Sequence, residues 1–382
     1  MRSSRAISGL AALALALAGS APAAAGGPPA FRAATQGYAW SFPRDHLPHP
    51  GYRNEWWYFT GTLESVDPPG RRLGYQLTFF RVGLLPAPPA LDSAWAASDA
   101  IMVHLAVTDV SGGSHRFSEV LWRAMPLLGG FGGRSGEPIA WAVAPPGTAG
   151  RWTLRLEPDG AFRLVAEDRA RGLAVDLRAV PSRAPVLQGP DGLSRKAPDP
   201  AYASLYASIP RLATEGRVTA GGRSFAVRGT SWLDQEFGSS QLAPAQVGWD
   251  WFGLRLADGR DLMLYVLRRA DGSADWRTAT IAAPGGAARL LAPEAWTVKS
   301  TGRWRSPATG AEYPSGWELD APGEGIRLRV EPEVRDAENR SSLADGLFYW
   351  EGPVRVVDAQ GRPAGDGYAE LTGYGRRNRP PI

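Results

Sequence analysis

The sequence predicts a mostly β protein assembled from antiparallel hairpins, and two observations carry the prediction. Apolar and polar residues alternate with period two in one segment after another, while sustained helical periodicity is hard to find. A hairpin signature also occurs twice, which points to two related β-domains. Composition agrees, since 15 tryptophans among 382 residues suit pleated, half-buried surfaces. A chain of this length holds two domains comfortably.

At the N-terminus, residues 1–25 read as a secretory signal peptide: Arg2 and Arg5 precede an uncharged run from Ala6 to Ala18, and Ala21, Ala23 and Ala25 offer a cleavage site. That run is too short to span a bilayer comfortably and no later segment reaches its length, so the chain is expected not to span a membrane. Absence of cysteine removes both a lipid-attachment thiol and a disulfide framework, which suits a bacterial periplasm. Trp57-Tyr58 then begins a strand leading to Gly70-Arg71-Arg72-Leu73, Tyr75, Leu77 and Arg81. Trp152, Leu154 and Leu156 share one strand face, Pro158-Asp159-Gly160 supplies a turn, and Phe162 and Leu164 start the return. Leu173, Val175 and Leu177 alternate with polar residues, as do Ile326, Leu328 and Val330. Trp251-Phe252, Gly259-Arg260-Asp261-Leu262, Tyr265, Leu267 and Arg268 repeat the first hairpin's pattern. Pro86–Pro89 and Pro181–Pro200 read as long loops. The domains are expected at 31–229 and 230–382.

Several functions are excluded by what is absent. The net charge is +4, but arginines are scattered among acids and cluster only at Arg376, Arg377 and Arg379, so nucleic acid is not expected as a partner. No Gly-x-Ser-x-Gly elbow or cysteine nucleophile is present. Gly129–Ser135 mimics a phosphate loop without its lysine and reads as a flexible loop. His46 and His49 flank Pro48, with His104 and His115 elsewhere, and four such histidines do not assemble a metal site. No cofactor is called for.

Two motifs carry the chemistry. His49–Gly61 (HPGYRNEWWYFTG) packs Tyr52, Trp56, Trp57, Tyr58 and Phe59 around Arg53 and Glu55. Aromatic rings beside a charged pair describe either an apolar ligand pocket with fixed polar groups or a strand that plugs a barrel. In Gly229–Gly238 (GTSWLDQEFG), an extended backbone places Trp232, Asp234 and Glu236 on one face, with the carboxylate-bearing Cα atoms roughly 6–7 Å apart. Such carboxylates either split their pKa values for acid–base work or pair with arginines structurally. Gly248–Phe252 adds Trp249 and Trp251 close by, and Tyr265 lies on the next strand. His104, in an apolar strand, either faces the pocket as an acid or base or is a hydrogen-bonded core histidine.

Taken together, the blocks Asp45–Gly61, Gln188–Lys196, Ile209–Leu212, Gly229–Gly238, Gly248–Leu267, Tyr349–Val354 and Gly367–Tyr374 resemble the AttH/carotenoid 1,2-hydratase (CrtC) family. They cover nearly the whole mature chain in order. The resemblance implies two lipocalin-like (calycin-type) antiparallel β-barrels packed together. It also implies an elongated apolar ligand (terpenoid, polyene or lipid) and acid-catalysed C=C hydration or isomerisation. Asp234 or Glu236 would supply the proton, Glu55 would orient groups or water, and Arg53, Trp56, Trp57, Tyr58, His104, Trp232, Trp249, Trp251 and Tyr265 would line the site. The chain departs from the phototrophic hydratases, which carry a histidine where it has Gln235 and an aspartate close to Leu267. The alternative is a non-enzymatic periplasmic carrier working beside an ABC transport system.

Overall fold

Antiparallel strands account for the architecture of the structure, a computed structural model describing residues 30–380 apart from Leu91, Ala94, Ser135, Gly286, Asp345, Arg376 and Arg377. The expected signal peptide at 1–25 lies outside the described residues. Among the described residues, helix is confined to 3₁₀ turns such as Arg44–His46, and no helix is long and apolar enough to cross a membrane. The strands form two large antiparallel sheets, each curved into a barrel or half-barrel, as the recurrent alternation predicts.

The first sheet has 13 strands. Its path runs from Ser114–Arg123 through Asp99–Asp109, Pro69–Gly83, Asn54–Asp67, Arg223–Ser240 and Ala203–Ala220 to Leu173–Pro181. It continues through Phe162–Asp168, Arg151–Leu156 and Ala140–Val143 to Gly129–Phe131. The second sheet has ten strands, with Asp261–Arg269, Gln246–Leu256, Pro363–Leu371 and Phe348–Asp358 side by side at its centre.

Period two then sorts the side chains. Trp57, Phe59, Tyr75, Phe79, Trp152 and Phe162 point into the first sheet's concave side and are all fully buried. Burying each such ring stabilises the fold by roughly 1.5–3 kcal/mol. Phe252, Leu254, Trp317, Trp350 and Val354 build the second core. Between the sheets lies a third cluster, in which Tyr58, Tyr206 and Trp232 meet Trp251, Met263, Tyr265 and Tyr368. Both barrel interiors are therefore filled by side chains, and the chemistry-bearing residues collect on the faces the sheets turn toward each other.

Three expectations need correction. The boundary placed at 229/230 falls inside strand Arg223–Ser240, which pairs throughout with strands of the first sheet; the chain passes to the second sheet over 241–245. Alternation alone gives no sign of where a long strand changes neighbours. Pro181–Pro200 is not a free loop, because Val186–Leu187 and Leu193–Arg195 pair with Ala203–Ala220 and carry Ser194 and Lys196 into the protein. Gly129–Phe131 is likewise a strand, paired with Ala140–Val143, while Ser135 of that motif lies outside the described residues.

The duplicated signature does mark two hairpins, Asn54–Asp67 with Pro69–Gly83 and Gln246–Leu256 with Asp261–Arg269. Their closing arginines do the same work: Arg81 meets Glu55 and Arg268 meets Asp250, each a carboxylate from its hairpin's first strand. The faces are exchanged, however. Trp57, Tyr75 and Leu77 point into the first core, whereas Trp251, Tyr265 and Leu267 point at the other sheet.

Candidate active site between the sheets

Two rows of residues face each other across the layer, each fixed by strand register. On the first sheet, His104, Thr78, Tyr58, Asp234 and Ser208 are direct neighbours across five consecutive strands. On the second, Glu351, Glu370, Trp251 and Tyr265 are neighbours across four. The rows touch where Tyr58 meets Trp251 edge-on at 5.2 Å and where the Trp251 indole N–H donates to the Tyr206 hydroxyl at 3.1 Å. Gly253 permits this contact, since a Cβ there would lie 2.6 Å from the Trp251 ring and 3.1 Å from Trp232.

Asp234 sits at the centre of the layer, 2% exposed. One carboxylate oxygen receives Ser208 Oγ at 2.5 Å and Trp232 Nε1 at 2.6 Å, and the other receives the Tyr206 hydroxyl. Burial pushes this carboxyl up to about 7, against the three hydrogen bonds and with help from the Glu236 charge. Glu236 has a different environment on the same face. Lys196 Nζ lies 2.7 Å from its Oε1, and Ser204 donates to the same oxygen. Burial works against the Lys196 ammonium, but Glu236 and Tyr265 raise it above its ordinary value. Ser194 Oγ, 2.9 Å from the Tyr265 hydroxyl, completes this end of the layer.

Two more carboxyls join from the second sheet. Burial pushes Glu351 well up, and Glu370 beside it adds to the effect. The protein packed around half-buried Glu370 raises it too, opposed by the Trp249 indole and reinforced by Asp234 and Glu236. Around them the Tyr58 and Tyr368 hydroxyls, His104 Nε2 and Glu351 Oε1 are buried without a well-aligned hydrogen bond among the described residues, Tyr58 facing Glu351 and Tyr368 facing Thr108. Two open grooves flank the layer where the sheets meet. One, of about 350 Å³, is lined by Thr62, Arg72, Arg228 and Asp366, and the other, of about 390 Å³, by His115, Arg116, Phe117, Arg171 and Arg340. Neither is lined by the two rows themselves.

The structure brings together Trp56, Tyr58, Trp232, Asp234, Glu236, Trp249, Trp251 and Tyr265 in or beside the layer. His104 shares the face at its far end, with Nδ1 2.7 Å from the Tyr349 hydroxyl, and burial lowers its ring to about 4. Trp57 and Glu55 are not in the layer. They alternate onto the opposite face, where Trp57 lies in the first core and its indole donates to the His46 carbonyl at 3.0 Å. Glu55 pairs with Arg81 and with His49, whose Nδ1 is 2.6 Å away, and not with Arg53, which is exposed. His49 stacks on Phe237 at 3.7 Å, and His46 faces Gln235 at 3.4 Å. Sequence reasoning missed Lys196, Tyr206, Glu351 and Glu370. Glu351 and Glu370 each carry a signal, an isolated carboxylate in the aromatic runs Tyr349–Val354 and Gly367–Tyr374.

Comparison with known proteins agrees with this architecture. The family model described as AttH-like matches residues 33–374. A solved structure assigned to AttH, from Nitrosomonas europaea, is 34% identical, with 91% of this chain and 100% of that one covered at a TM-score of 0.78. Kievitone hydratase from Nectria haematococca shares the fold at 13% identity and a TM-score of 0.64, covering 91% of this chain and 97% of its own. No curated protein sequence matches this chain.

Proposed function

The chain belongs to the AttH-like family, and from that premise we propose that it is a hydratase-type acid–base enzyme acting on a C=C bond of an elongated apolar substrate. The observation that carries the reading is Asp234, a carboxyl buried among Tyr206, Trp232 and Trp251 and raised to about 7. A group poised there both holds and releases a proton at neutral pH, which is what general acid–base catalysis asks of it. Protonation of a C=C bond leaves a carbocation, and the faces of Trp56, Trp232, Trp249 and Trp251 are suited to stabilise it until water adds. Glu236, clamped by Lys196, acts structurally beside it. The fold shared with kievitone hydratase supports the reaction class. Residues 1–25 support export to the periplasm.

The test is turnover of a panel of acyclic terpenoids and polyenes in heavy-oxygen water, read by mass spectrometry. Incorporation of one labelled water by the wild type, lost in Asp234→Asn with folding intact, is the expected result. Full activity in Asp234→Asn would remove Asp234 from the reaction. Purified protein carrying a single unmodified apolar species, with no turnover, would move the reading to a carrier beside an ABC exporter.

A further inference from the structure

Both oxygens of Asp234 already accept hydrogen bonds, Oδ1 from Ser208 and Trp232 and Oδ2 from Tyr206. That arrangement suits a carboxylate receiving a proton better than an acid delivering one, so a hydration needs a second group. Glu351 has the complementary arrangement. Its Oε2 accepts the Asn339 amide Nδ2 at 3.3 Å, while its Oε1 is buried without a well-aligned bond and the carboxyl faces the Tyr58 hydroxyl across the layer. With Oε2 taken by the amide N–H, a proton on this carboxyl is placed on Oε1, on the side of Tyr58. The orientation of Asn339 is fixed from behind, because its Oδ1 takes His115 Nε2–H at 2.7 Å and His115 Nδ1 meets the Thr108 hydroxyl at 2.9 Å. Thr108 and His115 belong to the first sheet and Asn339 and Glu351 to the second, so the chain of bonds holds the carboxyl in register across the layer.

We propose that Glu351 is the proton donor of the hydration, with Asn339 and His115 as its positioning residues and Asp234 as the receiving carboxylate. The proposal rests on the hydratase reading and adds to it the group that starts the reaction. Glu351 Oε1–H breaks as the π pair of the substrate forms a new C–H bond, leaving a carbocation. A water oxygen then forms the C–O bond and its proton passes to Asp234. Returning that proton from Asp234 to Glu351 resets the site, and the sum is alkene plus water to alcohol. The facing groups are Glu370 beside Glu351 on its own sheet, Tyr58 and His104 from the first sheet, and Tyr349 and Tyr368 on neighbouring positions. The groove of about 390 Å³ is lined by His115 and by Phe117, whose ring packs on His104 and Tyr349, so it opens one bond short of Asn339.

The test uses the full chain with two readouts. Infrared difference spectra of the wild type at neutral pH should contain a protonated-carboxyl C=O band that is lost in Glu351→Gln and shifted in Asn339→Leu. With a substrate from the panel, Glu351→Gln should lose about 10²–10⁴-fold in kcat, and Asn339→Leu should lower kcat with KM unchanged. Wild-type turnover together with undiminished turnover in Glu351→Gln overturns the donor role and leaves the hydratase reading standing. No turnover by the wild type on any panel member overturns the hydratase reading and the donor role with it. If Glu351→Gln does not fold, Asn339→Leu decides, because it keeps the carboxyl; an unmoved band and unchanged kcat there overturn the proposal.

Discussion

Replacing Lys196 by Met probes how the layer between the sheets is held. The Lys196–Glu236 contact is 2.7 Å long and each side chain is 7% exposed. Removing the ammonium leaves the Glu236 carboxylate buried, with Ser204 as its remaining side-chain partner. Breaking a buried pair in this way costs about 3–5 kcal/mol. Loss of the ammonium 4.5 Å from the Tyr265 ring centre adds about 0.5–1 kcal/mol. A fall of about 4 kcal/mol is a large part of the ~5–15 kcal/mol that holds a typical protein folded. Urea unfolding at pH 7 should show it directly, and the double variant Lys196→Met/Glu236→Gln should recover most of it, since no unpaired charge remains. The pH dependence stems from Lys196 being raised above its ordinary 10.5. The pair's contribution is complete below that value and is lost as pH rises through the higher folded value, so wild type and variant should converge only in strong alkali. A loss under about 1 kcal/mol, or a double variant no more stable than the single one, would show that this pair does not hold the layer.

Trp57→Ala should cost about 3–5 kcal/mol by leaving a cavity in the first core, with kcat on any substrate unchanged because the ring faces away from the layer; thermal unfolding and turnover check the two halves separately. Glu55→Gln should destabilise by about 1.5–3 kcal/mol in urea unfolding, since it removes a charged acceptor from His49 and from buried Arg81, which keeps Asp99 at 2.7 Å. Asp234→Asn should change the pH dependence of stability. The raised Asp234 carboxyl contributes fully below its unfolded value of about 3.9 and loses that contribution as pH rises through about 7. The variant should therefore gain on the wild type between pH 4 and pH 8, by up to about 4 kcal/mol, as followed by urea midpoints across that range.

Much of the layer was legible in the sequence, and the part that was not has a physical reason. Alternation in Gly229–Gly238 correctly separates Trp232, Asp234 and Glu236 from Leu233, Gln235 and Phe237, because a strand has only two faces. The same rule applied to Asn54–Asp67 separates Trp56 and Tyr58 from Glu55 and Trp57, yet the density of aromatics there reads as one pocket. Nothing in the local sequence says which face meets the core and which the other sheet. Pairing of Glu55 with Arg81 instead of Arg53 depends on register between strands, which brings residues 26 apart into contact. Lys196 was hidden for another reason: proline-rich surroundings signal a loop, whereas the backbone of Leu193–Arg195 pairs and draws the adjoining lysine into the interior. The exchanged faces of the two hairpins show that a repeated pattern conveys topology without conveying orientation, since a one-residue shift turns every side chain over.

The proposed chemistry depends above all on Asp234 being a carboxyl between the sheets that titrates near neutrality. Carbon-13 NMR of protein labelled at aspartate carboxyls, titrated from pH 3 to pH 9, reads that property at the residue itself. One resonance should titrate at about 7 and be missing from the spectrum of Asp234→Asn. If that variant instead removes only a resonance titrating near the ordinary ~3.9 of an aspartate, Asp234 is an ionised structural carboxylate at neutral pH and the acid–base role is wrong.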